Sequence, residues 1–528
     1  MTLAGPLRHR IRHRNGTPAT APRPDHRPRE HNHRQLAAVA VVYVLAQLVL
    51  TVPVNHRSLA WDESIYFSQI DPHSVATFFS APRSRGVSLL GAPVALFTSN
   101  PLVIRLCLAV VSGILLHAAF GTWRRLIGAR TAALAALLFA TLWVTVDYGA
   151  QLMPNIWVAF SAVAAVGLFL RAVHERPRPR HLLGLALAVG WAALVRAPDG
   201  AYLALPLLGA ALLVRAWRRP GVAAAVAAGL GAGLAEWVTE AYVRFGGVEQ
   251  RLADSGVIEG GVGLTWNVAN ALRAADGPLL CRPCLVGYPP LGDVLWWLAI
   301  PVLVLAALAS PAAARAGGPL RQGGPLRQGG PGRGAVTVTP VVCALSLSVP
   351  YLFMINYSAP RFLLPAYALL ALPVAGLIAQ GLNAVRARPT PWGVAAVLLA
   401  AAVFGQHLSF QEQLARRHAL NLGHDNDHYR ALADALHRAG VHPPCLVAGN
   451  TEPIAYDAGC SSSVSSNLLT DSSMVSGPDA LRAGAHETVA VLVPPGGAAP
   501  SYAPHWVRHQ LTGSRLVSGW SAYLPPGR

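Results

Sequence analysis

Residues 35–54 read QLAAVAVVYVLAQLVLTVPV. Such an uncharged stretch has the length of a helix that crosses the hydrocarbon core of a bilayer. It is too long for the core of a secretory signal, and no small-residue cleavage site marks its end. Ten more apolar runs follow, at approximately 102–122, 131–147, 155–171, 181–196, 201–216, 221–240, 291–310, 335–355, 361–380 and 392–409. The shorter ones need flanking residues or a thinner stretch of membrane. Of the 528 residues, 53% are hydrophobic and 12% charged, against about 25% charged in a soluble domain. Apolar surface on this scale does not fit inside one soluble core. The expected fold is an all-α polytopic membrane protein of about eleven transmembrane helices.

The net charge is +18 and the chain contains no Lys, so every fixed cation is Arg. A basic chain can bind nucleic acid, but these Arg residues sit in short blocks between apolar runs, as topogenic charges do. With the N-terminus in the cytoplasm, the inner loops carry Arg124, Arg125 and Arg130; Arg171, Arg176, Arg178 and Arg180; Arg215, Arg218 and Arg219; Arg315, Arg321, Arg327 and Arg333; Arg386 and Arg388. Every alternate loop is basic, which orients the chain in the cell membrane and excludes nucleic acid as the partner. An odd number of spans then places the C-terminus outside.

Three parts follow from this order. Residues 1–34 hold eight Arg and five His and read as a disordered cytoplasmic tail. Residues 35–410 form the membrane part, with outer loops near 55–100 and 241–290. Residues 411–528, with nine acidic and eight Arg residues, read as a small extracytoplasmic α/β domain. Its helix-like stretch is Tyr429–Ala439; its strand-like stretches are Cys445–Ala448 and Thr488–Val493. The repeat GGPLRQGGPLRQGGP at 317–331 is a flexible insert in an inner loop. Outside, disulfides are permitted: Cys445 and Cys460 share the outer domain. Cys281 and Cys284 form a CxxC without the second pair that a metal site wants, so a loop disulfide is expected.

The chemistry points to Trp61-Asp62-Glu63-Ser64-Ile65-Tyr66, just beyond the first span. Two carboxylates near a membrane surface can hold a divalent cation or act as general base. They can also be plain solvated loop acids. Downstream come Asn100-Pro101-Leu102-Val103-Ile104-Arg105-Leu106, Trp123-Arg124-Arg125-Leu126-Ile127-Gly128 and an Ala-rich run at 131–140. Then follow Met153-Pro154-Asn155-Ile156-Trp157, Leu194-Val195-Arg196-Ala197-Pro198-Asp199-Gly200 and Tyr357-Ser358-Ala359-Pro360-Arg361-Phe362-Leu363-Leu364-Pro365. In order and spacing this series resembles the GT-C membrane glycosyltransferases over roughly residues 35–410. The closest branch is that of the protein mannosyltransferases and aminoarabinose transferases.

The resemblance implies an enzyme that moves a sugar from a polyprenyl-phosphate donor to a glycan, lipid or protein acceptor outside the cytoplasm, with inversion at the sugar carbon. It implies that Asp62, with Glu63 beside it, is the catalytic base or holds a metal; Mg or Mn is the cofactor it allows. The departing lipid phosphate needs guanidinium partners near the headgroups. The outer-side candidates are Arg83, Arg85, Arg196 and Arg361. Asn155 takes the place of an Asp in many relatives and can hydrogen-bond but not act as a base. Tyr66 and Trp61 could stack on a sugar or anchor the loop at the interface. Two other functions fit a polytopic chain. A flippase for a lipid-linked precursor would favour internal repeats and midplane acids. A non-enzymatic scaffold would need no cavity beside the first outer loop.

Overall fold

The computed structural model describes residues 31–175, 178–310, 333–449, 451–463, 488–501 and 504–526. Most of the N-terminal tail, the 317–331 repeat and residues Arg176, Arg315, Arg321 and Arg327 lie outside these ranges. Each of the eleven apolar runs is helical. Seven helices are long and apolar enough to cross a membrane: Pro101–Gly121, Pro154–His174, Pro220–Arg244, Leu291–Ala309, Gly334–Phe353, Pro360–Ala387 and Pro391–Arg438. An eighth span is broken, since Ala129–Ala140 and Trp143–Gly149 meet at 81°. The apolar parts of the remaining three, Arg34–Leu50, Pro179–Val195 and Ala197–Leu213, are shorter. At 17 residues, the last two reach about 25 Å and cover only a thinned bilayer or a tilted neighbour. The chain is a multi-pass membrane protein.

Local signals set the helix starts. Pro opens the helices at 101, 154, 179, 220 and 391, where its missing N–H costs nothing. Asn100 caps the second span, its side-chain oxygen accepting from the Leu102 N–H at 2.9 Å. Gly128, at φ 87°, makes the sharp turn between the Arg124–Ile127 helix and the broken span. The helix Pro154–His174 is the most buried span and forms the centre of the bundle. Beside it, Pro179–Val195 and Pro220–Arg244 pack backbone to backbone, because a side chain at Gly229 or Gly233 would collide with the carbonyls of Ala186 and Gly190.

The Arg-rich loops gather at one end. Arg219 donates to the carbonyls of Ala172 (3.1 Å) and Glu175 (2.7 Å), and His174 meets the Trp217 ring. The opposite end carries both large loops and the C-terminal domain. One expectation changes there. The eleventh run does not stop near 409; the helix Pro391–Arg438 continues without a break for 48 residues. No Pro interrupts the polar stretch after Phe410, and the helix carries the chain about 70 Å, from the membrane part into the C-terminal domain.

That domain is a five-stranded sheet in the order β2-β1-β3-β5-β4, with β1 Cys445–Ala448, β2 Ser461–Ser463, β3 Thr488–Val493, β4 Val507–Gln510 and β5 Ser521–Leu524. β1 pairs in parallel with β2 and β3; β5 runs antiparallel to β3 and β4. The disulfide Cys445–Cys460 ties β1 to the residue before β2, and Cys281–Cys284 closes a tight loop in the second outer segment. The Cys281–Cys284 bridge matches the sequence expectation, and the Cys445–Cys460 bridge is one that the sequence permitted. The domain sits on the first outer loop. Ser58 Oγ donates to Asp457 Oδ2 (2.7 Å), Tyr456 OH to Asp71 Oδ2 (2.9 Å), and the Phe78 N–H to Ser462 Oγ (2.8 Å).

Candidate active site

Asp62 and Glu63 occupy the first turn of a short helix, Trp61–Ser68. Consecutive helical side chains point about 100° apart, and here that separates the two acids. Glu63 turns into the protein and is fully buried. It accepts both arms of Arg105, at 3.1 and 2.8 Å, and the N–H groups of Ala60 (3.0 Å) and Leu152 (2.9 Å). Arg105 also donates to the carbonyls of Asn55 and Ser58. Glu63 therefore fastens the outer loop to the second span, and it does not line the cavity.

Asp62 turns the other way, into a cavity of about 880 Å³ between the bundle, both outer loops and the C-terminal domain. Arg83 Nη2 lies 2.7 Å from its Oδ1, and Arg361 Nη2 lies 3.2 Å from its Oδ2. Arg196 faces the same space, over the rings of Tyr351 and Phe362. Burial alone would raise the Asp62 carboxyl, but Arg83, Arg361 and Arg196 outweigh it and hold it below the usual carboxylate range. Tyr66 lines the wall, with the Arg83 guanidinium over its ring.

The cations are themselves anchored. Arg83 Nε donates to Ser80 Oγ at 3.1 Å. The Arg83 carbonyl accepts from Arg251, which is fully buried and also binds the carbonyls of Ala81 and Trp237 and the Glu240 carboxylate. Arg361 Nη1 donates to the Leu279 carbonyl at 3.0 Å. Two residues on, Cys281 pairs with Ser358 through its backbone, which ties the second large loop to the segment before Arg361.

Six of the residues singled out from the sequence thus share one cavity: Trp61, Asp62, Tyr66, Arg83, Arg196 and Arg361. Three lie outside it. Glu63 is the buried clamp described above. Arg85 points away, bonded to Glu240 at 2.6 and 2.8 Å and to Gln69 at 2.8 Å. Asn155 is fully buried behind Met153 and Pro154, with neither amide atom hydrogen-bonded. Several wall residues escaped the sequence reading. Tyr357 donates to the Glu259 carboxylate, Arg282 covers the Tyr357 ring, and Glu452 enters from the outer domain. Burial pushes the Glu452 carboxyl up to about 7. Only the tertiary packing of distant segments brings these side chains here.

The expectation of Mg or Mn rested on Asp62 and Glu63 acting together. They point apart, and both Asp62 oxygens face guanidinium groups, which repel a cation. Among the described residues, no group of three or more His, Cys, Asp or Glu is gathered. Asp62 and Glu63 as placed form no shared cation site, and the chemistry below is written for the side chains alone.

The model of the dolichyl-phosphate-mannose-protein mannosyltransferase family matches residues 89–235. No protein with a curated description matches the chain. Among solved structures, ArnT from Cupriavidus metallidurans bound to undecaprenyl phosphate aligns with a TM-score of 0.58 at 14% identity, covering 93% of this chain and 97% of that one. The oligosaccharyltransferase of Archaeoglobus fulgidus, tethered to an acceptor peptide, aligns at 0.54 and 14% identity, over 82% of this chain and 64% of that one. The chain therefore shares the fold of the GT-C glycosyltransferases.

Proposed function

We propose that the protein is a membrane glycosyltransferase that moves a sugar from a polyprenyl-phosphate donor to an acceptor hydroxyl outside the cytoplasm. One observation carries this reading: a carboxylate bridged by two guanidinium groups on the wall of a large cavity that a third guanidinium also faces. The relative solved with undecaprenyl phosphate supports the choice of donor class. The Arg-rich loops at the far end support placing the N-terminus in the cytoplasm and the cavity outside.

In this reading the lipid phosphate takes the place of Asp62 as partner to Arg83 and Arg361, with Arg196 as the third cation. Guanidinium groups bind phosphate in a fixed fork and neutralise the charge that grows as the sugar–oxygen bond breaks. Asp62, released from part of its pairing, accepts the hydrogen bond of the acceptor hydroxyl and draws off its proton. The oxygen attacks the sugar carbon opposite the departing phosphate, which inverts that centre. A flippase reading gains nothing from an acid fixed at the outer edge, and a scaffold needs no such cavity.

The test uses the purified full-length chain in phospholipid vesicles with undecaprenyl-phospho-mannose, -glucose and -arabinose as donors and octyl glycosides as acceptors. Release of undecaprenyl phosphate coupled to a new glycosidic bond is expected from at least one donor, and none from Asp62→Asn. Equal transfer by Asp62→Asn and the wild type would remove Asp62 from the mechanism.

A further inference from the structure

Asp62 is well placed to meet an acceptor hydroxyl and poorly suited to keep its proton. Guanidinium groups stand 2.7 and 3.2 Å from its two oxygens, and both favour the ionised form. A proton drawn onto Asp62 must move on before the next turnover.

The outer domain brings a second carboxyl to the same cavity. Glu452 opens the helix Glu452–Ala458, is 4% exposed, and lines the wall with its Oε2 accepting no hydrogen bond. A buried carboxylate oxygen without a donor is costly, and such atoms call for an explanation. The helix behind it is held by the contacts of Tyr456 with Asp71 and of Asp457 with Ser58, so the carboxyl is fixed in place.

The groups around Glu452 come from three elements. Asp62, Tyr66 and Arg83 face the cavity from the first outer loop. His418, Asp425 and Tyr429 face it from the long helix. Asp457, on the same short helix, is turned to Ser58 and Arg430. Burial and the charge of Asp62 favour the protonated form of Glu452, while Arg83 favours the ionised form. The outcome is a carboxyl poised near neutrality, where a proton acceptor is most effective.

We infer that Glu452 receives the proton given up by the acceptor hydroxyl and returns it to the outer solution, so that the extracytoplasmic domain takes part in the transfer chemistry. This rests on the transferase reading above. The step balances without any further reactant. The acceptor O–H bond breaks as its oxygen bonds to the sugar carbon. The sugar–phosphate C–O bond breaks, and its electron pair leaves on the phosphate oxygen beside the arginines. The proton passes by way of Asp62 to the Glu452 carboxylate.

Two readouts test it on the full-length chain in vesicles. The first is the infrared carbonyl band of protonated carboxyls, followed against pH without substrate in the wild type and in Glu452→Gln. A component of the band that titrates near 7 in the wild type and is missing from Glu452→Gln, beside the component of Asp457 that both keep, is expected. The second is the pH profile of undecaprenyl phosphate release from whichever undecaprenyl-phospho-sugar the wild type uses. The wild type should lose kcat below neutrality. Glu452→Gln should lower kcat by about 100-fold with KM unchanged and no acid limb, and Glu452→Asp should recover part of the rate. A Glu452→Gln variant with wild-type kcat and acid limb, or with an infrared titration identical to that of the wild type, would overturn the inference. A wild type that turns over none of the sugars would overturn the transferase reading, whereas the difference between the infrared titrations of the wild type and Glu452→Gln bears on Glu452 alone.

Discussion

The Arg361 guanidinium lies 3.2 Å from the Asp62 carboxylate, although 299 residues separate them in the chain. Asp62 follows the first span and Arg361 opens a late one, so the contact joins an early and a late part of the chain on the cavity wall. In the proposed mechanism, the same guanidinium that pairs with the acid in the resting protein holds the phosphate when a lipid donor enters.

Replacing Asp62 by Asn should separate these two duties. Transfer should fall by at least about 100-fold, the contribution typical of a positioned acid or base. Affinity for undecaprenyl phosphate should rise, because Arg83 and Arg361 no longer share an anion with the ligand. Calorimetric titration with undecaprenyl phosphate checks this; weaker binding by Asp62→Asn would mean that Asp62 holds the ligand rather than competing with its phosphate.

Arg361→Ala should weaken undecaprenyl phosphate binding by roughly 10- to 100-fold, the value of one hydrogen bond between charged groups. Arg361→Lys should recover little, since an ammonium group cannot reproduce the planar fork that reaches Leu279 and the cavity together. Arg85→Ala should leave binding nearly intact, because Arg85 is spent on Glu240. Equal losses for Arg85→Ala and Arg361→Ala would show that net charge, not position, governs binding.

Glu63→Gln and Arg105→Leu should act on the fold. Each leaves an uncompensated buried charge, at a cost of about 3–5 kcal/mol. The expected result is a lower melting temperature and less protein in the membrane. A Glu63→Gln protein that folds with wild-type stability but loses transfer would instead return Glu63 to the reaction.

Glu452 should leave a mark on stability as a function of pH. Its carboxyl is raised in the folded protein, so it binds its proton more tightly folded than unfolded. The stability this confers is complete below the ordinary glutamate range and is lost as pH rises through about 7. Relative to Glu452→Gln, the wild type should weaken by about 3 kcal/mol across that window. Melting curves should therefore coincide in acid and separate in alkali, with Glu452→Gln the more stable. Parallel curves at every pH would show that Glu452 keeps its ordinary titration.

Much of this architecture was legible in the sequence because bilayer length and Arg placement are strong, local constraints. All eleven apolar runs became helices, and β1 and β3 fell on the expected strands. The long helix was misjudged at residue 410 because the sequence signal there is a change of polarity, and polarity changes where a helix leaves the membrane without ending it. In the site, Arg196 and Arg361 were identifiable as charges at span ends, which are costly unless used; Asp62 was singled out by the family resemblance and Arg83 as an outer-loop cation. The division of labour between Asp62 and Glu63 was not, since it depends on which way a short helix is turned. Arg251 and Glu452 look like ordinary solvated charges until the second loop and the outer domain fold over the bundle.

The most direct measurement is the binding of undecaprenyl phosphate to the purified protein and to the double variant Arg83→Ala/Arg361→Ala, in the same vesicles. Saturable binding by the wild type, reduced at least tenfold in the double variant that still folds, is the expected result. Indistinguishable binding by the two proteins would mean that the arginines around Asp62 do not receive the lipid phosphate, and the transfer mechanism would have no site in which to occur.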